Sequence, residues 1–224
     1  MMLRTVRLSA ATIAAMALAS GCSTVVSGTP VSAPGRGSSA TTDSVSPSTP
    51  DAAASCARVD APLQDVPSHN DSEPLLRVPQ LPGWNRVTKM DSEVIRFTLV
   101  NSDLIANNFA PNIVVTLEPT PPLDPQVVFD QQRDNLRDVV GATDMSEAPA
   151  MVCGLPAEKL TFNLPAMGAA MGSRPAQALA VVAHIGRQQF LATATIQTTD
   201  ANNPTYQQDS QTLLDGLQVL TPNG

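Results

Sequence analysis

The sequence predicts an α+β domain in which two helices flank an antiparallel β-sheet. Residues 178–185 and 189–197 are strand-like runs on either side of Gly186-Arg187, which is typical of a hairpin. Asp124-Pro125 and Asn203-Pro204 each place a capping side chain before a proline, the usual start of a helix. Hairpins rather than repeated strand–helix–strand units favour an antiparallel sheet.

The remaining strands are predicted from β-branched runs and from alternation of apolar and polar residues. They cover residues 74–78, 94–100, 112–118 and 157–164, with a possible closing strand at 217–220. The first helix is predicted over residues 126–140 and ends at Gly141; residues 101–111 are predicted to be a loop. The second helix carries Leu213, Leu214 and Leu217 at helical spacing. Leu, Val and Ile alternate on most strands, so we expect both helices to cover the sheet.

The amino terminus has the pattern of a bacterial export signal. Arg4 and Arg7 precede an uncharged run of about a dozen residues, which is too short to span a bilayer. The run ends in Ala19-Ser20-Gly21-Cys22, which resembles a lipobox, although leucine is usual where Ala19 stands. We therefore predict cleavage before Cys22 and lipid on that cysteine; the alternative is an ordinary secretory signal with a chance cysteine.

A lipid on Cys22 would place the protein on the extracytoplasmic face of the cell membrane, because acyl chains on one cysteine anchor a small domain firmly. The predicted organisation is a signal peptide at 1–21, the lipidated cysteine and a tether at 22–55, and one α+β domain at 56–224. The tether is rich in Ser, Thr and Pro and cannot bury enough apolar surface to fold.

Charge and cysteine content limit the partners and the redox compartment. Without Arg4 and Arg7, 11 basic residues face 20 acidic ones, a net charge of −9. This balance disfavours nucleic acid, which attracts Lys and Arg clusters. Of the 3 cysteines, Cys56 and Cys153 remain after lipidation of Cys22, so an exported protein is expected to pair them in a disulfide. The alternative is two free thiols, with Cys153 and His184 as a catalytic pair.

Two features could belong to a binding surface. Trp84 follows the turn Pro82-Gly83 and is either a ligand-site side chain or a plug in the core. Residues 164–172 form an apolar stretch with Met167 and Met171 and three glycine or proline breaks nearby. Exposed, it would suit a partner protein or a lipid tail; otherwise it packs on its own domain.

Catalytic, cofactor and metal patterns are not found in the sequence. The 2 histidines, His69 and His184, are far apart, and no nucleophile elbow, P-loop or metalloprotease motif occurs. Asp71 and Glu73 near His69 offer a transient cation site at most, in a stretch whose composition indicates a linker. We therefore expect a protein that is not an enzyme and that has no cofactor.

Several marks together resemble the LpqN/LpqT-type lipoproteins of mycobacteria and related actinobacteria, over about residues 74–219. These marks are Pro79-x-x-Pro82-Gly83-Trp84, a strand leading through Asp124-Pro125 into a helix, Gly154-Leu155-Pro156-Ala157, and Asp215-Gly216-Leu217-Gln218-Val219. The resemblance implies a Mog1/PsbP-like fold and an accessory role in the cell envelope, with no catalytic residues to carry over. Cys56 and Cys153 depart from the family pattern.

Three functional hypotheses follow. The first is a non-catalytic binding module, anchored to the membrane by its lipid, that binds an envelope protein or a lipid during cell-wall or lipid transport. The second is an envelope hydrolase or esterase, which needs His184 in a polar pocket with Cys153 or with carboxylates. The third is a purely structural envelope protein without a discrete ligand.

Overall fold

The computed structural model describes residues 56–166 and 172–221. The predicted signal peptide, Cys22 and the tether lie outside the described residues, as do Met167 and Met171. Within the described ranges, neither helix is long and apolar enough to cross a membrane.

A seven-stranded antiparallel sheet forms the centre of the domain, with the strand order β3-β4-β5-β9-β8-β7-β6. Its strands are β3 (Trp84–Arg86), β4 (Ile95–Asn101), β5 (Asn112–Thr120), β6 (Thr143–Val152), β7 (Leu155–Leu164), β8 (Arg174–Ile185) and β9 (Gln188–Gln197). The predicted hairpin is confirmed: β8 and β9 pair from Ala176 with Gln197 to Ile185 with Gln188, around the left-handed Gly186. The antiparallel α+β prediction is therefore confirmed.

A second, three-stranded sheet combines two strands from the beginning of the domain with one strand from its end. Its strand order is β1-β2-β10, with β1 (Leu63–Asp65), β2 (Leu75–Pro79) and β10 (Gln218–Leu220). The sequence predicted β2 and β10 but not β1, which is only three residues long and mostly exposed. Strands of that length show no measurable alternation of polar and apolar residues.

Two helices begin where the sequence predicted. In α1 (Pro125–Asn135), the carboxylate of Asp124 accepts from the backbone N–H of Gln126; in α2 (Pro204–Asp215), the Asn203 side chain caps the first turn in the same way. The helix extends to residue 140 as predicted, but its last turn is not α-helical. From Leu136 to Val140 the chain forms a π-helical turn that ends at left-handed Gly141. The β-branched Val139 and Val140 are exposed there, so no packing holds them in α-helical geometry.

Each helix covers a different face of the large sheet. On one face, α2 and the small sheet bury Leu213, Tyr206 and Val78 against strand residues such as Ile113 and Ile196. On the opposite face, Val128 and Phe129 of α1 pack on β8 and β9. The expectation that both helices cover the sheet is therefore confirmed.

Strand β6 was not predicted by the sequence. It is the edge strand beside β7, and Val152 is its one buried residue. A strand with solvent beside it and on most of both faces needs no alternation of apolar residues, so its sequence, which includes Ser146, Ala148 and Pro149, has no strand pattern.

Candidate functional site: the α2 groove

A groove lies beside α2, on the part of the seven-stranded sheet that extends past the helix towards the edge strand β6. We call this the α2 groove and define it by the residues that line its three adjoining cavities. The largest has a volume of about 430 Å³ and lies between α2, β6 and residues 57–59. The second, about 320 Å³, lies between α2 and strands β7 and β8, and the third, about 210 Å³, reaches Tyr206.

We call the large cavity the apolar end of the groove after its inner wall of apolar side chains; Arg58, Lys159 and Asp215 also line it. Ala150 and Val152 lie on the α2 side of β6, since Ala150 pairs with the core residue Ala157 of β7. Leu179 and Leu214 supply the inner wall, and Met151, 67% exposed, lies at the rim. Ala150 contributes only a methyl group, which leaves room for the cavity on this side of β6.

The other two cavities are lined mainly by amides and hydroxyls. Thr161 and Gln177 project from neighbouring strands, and Gln207, Ser210 and Gln211 project from α2. Within the described part of the chain, the side chains of Gln177 and Gln211 make no hydrogen bond to protein, so both amides are available to a ligand.

One ion pair crosses the groove between its apolar and polar ends. Lys159 Nζ on β7 lies 2.7 Å from Asp215 Oδ1 at the end of α2, and both residues line the two larger cavities. Their side chains are 54% and 37% exposed. Exposed pairs of this kind contribute at most about 1 kcal/mol, so a ligand that spans both cavities could displace the pair at little cost.

A disulfide holds the wall at the apolar end. Cys56 and Cys153 are bonded, which confirms the predicted disulfide. Cys153 lies with Gly154 in the turn between β6 and β7, and both residues have left-handed backbone angles. The bond therefore places residues 57–59 beside the end of β6, where they close one side of the large cavity.

The structure places the other candidate residues away from this groove. Trp84 is 1% exposed, and its Nε1 donates to Asp209 Oδ2 at 2.8 Å, so its ring is a core side chain rather than part of a surface. His184 is exposed on β8, where Nε2 lies 3.0 Å from Gln189 Nε2. Cys153 is in the disulfide, so the structure contains no Cys153 thiol to pair with His184.

The stretch around His69 is also different from the prediction. Its composition indicated a linker, but Glu73 is 6% exposed and both of its carboxylate oxygens bind Arg96, at 2.8 and 3.0 Å. His69 Nδ1 lies 3.3 Å from Glu93 Oε2 instead. Among residues 56–166 and 172–221, no three His, Cys, Asp or Glu side chains are grouped to hold a metal ion.

Sequence reasoning missed the groove itself. Its residues come from the segment after Cys56, from β6 to β8 and from α2, and no two neighbouring residues form a recognisable motif. The one available signal was the disulfide, which connected the first of these segments to the β6–β7 turn.

Comparisons with known proteins identify the fold. No protein-family model and no curated protein matches the sequence. Among solved structures, the domain is similar to LpqN of Mycobacterium tuberculosis, which is described as involved in cell envelope biogenesis. The TM-score is 0.57 at 19% identity, over 72% of this chain and 93% of LpqN. Cyanobacterial PsbP from Synechocystis sp. PCC 6803 matches with a TM-score of 0.48 at 16% identity, over 71% of this chain and 93% of that protein. The Ran-binding protein Mog1p of Saccharomyces cerevisiae has a TM-score of 0.43 at 12% identity, over 72% of this chain and 97% of its own. The likeness to LpqN confirms the fold that the sequence resemblance implied: the described domain has an LpqN-like fold.

Proposed function

We propose that this protein is a non-catalytic accessory module of the cell envelope that binds an amphiphilic lipid in the α2 groove. The observation that carries the proposal is the arrangement of the groove, in which a cavity of about 430 Å³ with an apolar inner wall continues into cavities that present amides and hydroxyls. An acyl chain fits the first environment and a polar, hydroxyl-bearing head group fits the second. The likeness in fold to LpqN, a protein of cell envelope biogenesis, supports the same biological setting.

Binding is expected to need both parts of such a ligand. The test uses the chain with Cys22→Ser, which cannot be lipidated, and compares n-dodecyl maltoside with dodecanoate and with maltose by titration calorimetry. We expect the highest affinity for the detergent, because only it occupies both ends of the groove. Absence of binding by all three probes would overturn the proposal.

Blocking the apolar end should remove most of this affinity. Ala150→Trp places a large side chain in the cavity from a half-exposed position on β6. We expect the Kd for dodecyl maltoside to rise by about tenfold or more, which corresponds to ~1.4 kcal/mol of lost binding free energy. The matched control is Gln131→Trp, which adds the same side chain to an exposed position of α1 on the opposite face of the sheet. Equal losses in the two variants would contradict a site in the groove.

The membrane anchor is tested separately. We expect labelled palmitate to be incorporated into the protein in an actinobacterial host and to be lost in Cys22→Ala, because the sulfur of Cys22 is the predicted attachment point. Cell fractionation should find the Cys22→Ala protein in the medium and the unaltered protein in the membrane fraction. If the unaltered protein carries no label, it is secreted without an anchor, and the envelope role loses much of its support.

A further inference from the structure

Arg174, the first residue of β8, is a buried arginine without a carboxylate partner. It is 5% exposed; in residues 56–166 and 172–221 the other arginine buried to this degree is Arg96, at 6%. Arg96 is bound by Glu73 at 2.8 Å, whereas no Asp or Glu oxygen of these ranges lies within 4.0 Å of the guanidinium nitrogens of Arg174. A charge taken out of water without a counter-ion costs free energy, so an anion bound here would be favoured.

A row of amide side chains fixes the direction of this guanidinium. Arg174 Nε donates to Gln197 Oε1 at 3.0 Å, and Gln197 Nε2 donates to Asn112 Oδ1 at 3.0 Å. Gln197 and Asn112 are paired residues at the end of β9 and the start of β5. The ring centroid of Phe109 lies 5.2 Å from Arg174 Cζ, in a cation–π contact. The group is therefore held in position before any ligand binds, which lowers the ordering cost of binding.

Part of the guanidinium is still available as a donor. Of its five N–H groups, one donates to Gln197 and one on Nη1 donates to the carbonyl of Gly172 at 3.3 Å, which leaves three without an acceptor in the described chain, two of them on Nη2. The fully enclosed side-chain atoms without a partner in this part of the chain are Thr98 Oγ1 and Glu158 Oε2. Nη2 of Arg174 is therefore reached by solvent, through an opening that admits only a small group.

We propose that Arg174 binds the carboxylate group of a small ligand, at a second site on the opposite face of the sheet from the α2 groove. Side chains alternate between the two faces along a strand. Ala180 and Val182 of β8 pack on α1, and Arg174 lies on their face because it is separated from them by even numbers of residues. Leu179, on the other face, lines the α2 groove. The inference therefore does not depend on the proposed function.

A carboxylate fits this position better than a phosphate. Two parallel N–H groups of a guanidinium match the two oxygens of a carboxylate, which carries one negative charge. A phosphate group also accepts two such bonds, but it carries close to two charges at neutral pH. The chain has a formal net charge of −7, which opposes the approach of a doubly charged anion more strongly.

Titration with acetate, followed by NMR of the arginine Nε–H groups, tests the site directly. The sample is the full chain with Cys22→Ser, at constant ionic strength with chloride as the replaced anion and at about pH 6, where acetate is ionised. We expect the Arg174 resonance, assigned by its loss in Arg174→Gln, to shift and to saturate at millimolar acetate. Arg187 is exposed in the β8–β9 turn and gives the internal control, since its resonance should not saturate. An Arg174 resonance that does not shift, or that moves in parallel with Arg187, would overturn the proposal.

Thermal unfolding measures the same binding through stability. We expect acetate to raise the Tm of the unaltered protein by about 2 °C or more over chloride, because a ligand that binds only the folded state stabilises it. Arg187→Gln should keep this rise and Arg174→Gln should lose it. Gln197→Leu retains the guanidinium but removes the acceptor that orients it, so the acetate Kd should increase by about fivefold.

Phosphate separates the two kinds of anion in the same assay. The measured quantity is the part of the Tm rise that depends on Arg174, obtained by subtracting the rise in Arg174→Gln, because phosphate also stabilises proteins without binding to them. We expect this part to be larger for acetate. A larger value for phosphate would overturn the assignment to a carboxylate, and a value of zero for both anions would overturn the site.

Discussion

Replacing Glu73 with alanine should lower the free energy of unfolding by about 3–5 kcal/mol. The substitution leaves the guanidinium of Arg96 buried without its partner, since the two side chains are 7% and 5% exposed. The same carboxylate also accepts from the His69 N–H at 2.9 Å and from the Ser68 hydroxyl at 3.1 Å, so the loop that precedes β2 loses its main attachment to β4. Urea unfolding followed by tryptophan fluorescence measures the effect.

An exposed pair in the same region gives the control. Arg77 and Asp65 lie 2.9 Å apart with side chains 38% and 81% exposed, so Asp65→Ala should cost less than about 1 kcal/mol. Replacing both buried partners, as Glu73→Leu with Arg96→Met, should recover part of the loss because no charge stays buried alone. Equal losses of unfolding free energy in Glu73→Ala and Asp65→Ala would contradict the role of the buried Glu73–Arg96 ion pair.

The acid limb of the stability curve offers a second measurement of the same pair. Burial acts to raise the pKa of Glu73, but hydrogen bonds from Arg96, His69 and Ser68 and the charge of Arg96 outweigh it and hold this pKa below the ordinary value of 4.5. A lowered pKa in the folded state means that the contribution to stability is complete above pH 4.5 and is lost as the pH falls through the folded-state value. The Glu73→Ala protein should therefore lose less stability below pH 4.5 than the unaltered protein.

Replacing Trp84 with alanine should cost about 3–5 kcal/mol of unfolding free energy. The ring is surrounded by core residues at the junction of β3, β4 and α2, and the change also leaves Asp209 without its hydrogen bond from the indole. Circular dichroism must follow the unfolding, because Trp84 is the chain's 1 tryptophan. Trp84→Phe keeps part of the packing and should lose less.

The same variant decides between the two roles that the sequence allowed for Trp84. Under conditions where Trp84→Ala is folded, we expect the Kd for dodecyl maltoside to stay within about twofold, because the ring does not line the groove. A loss of affinity comparable to that of Ala150→Trp would instead place Trp84 in the ligand site.

Secondary structure was most predictable where local chemistry is sufficient. Asp124 and Asn203 cap their helices through their own side chains, and the turn at Gly186 needs only a residue that tolerates a left-handed backbone. Buried strands such as β5 and β8 keep their apolar pattern in the sequence. The failures were β1, β3 and β6, which are short or lie at an edge, and therefore carry little or no such pattern.

The candidate site was hardly predictable. Of the residues named from the sequence as a binding surface, Trp84 lies in the core, and Met167 and Met171 are outside the described residues. The groove is a gap between α2 and β6, and the width of a gap between two distant segments leaves no pattern in either segment's sequence. Lys159 and Asp215, which cross it, are 56 residues apart in the chain.

The antiparallel α+β class, both helix starts, the central hairpin and the pairing of Cys56 with Cys153 could all be predicted before the fold was known. Each of these depends on neighbouring residues or on simple counting. Three properties became visible only in the folded domain: Glu73 is a buried partner of Arg96, Trp84 is a core side chain, and the disulfide places residues 57–59 along one side of a groove. Those properties arise from contacts between distant segments, whose energies depend on burial and distance in the folded chain and are not recorded in local residue patterns.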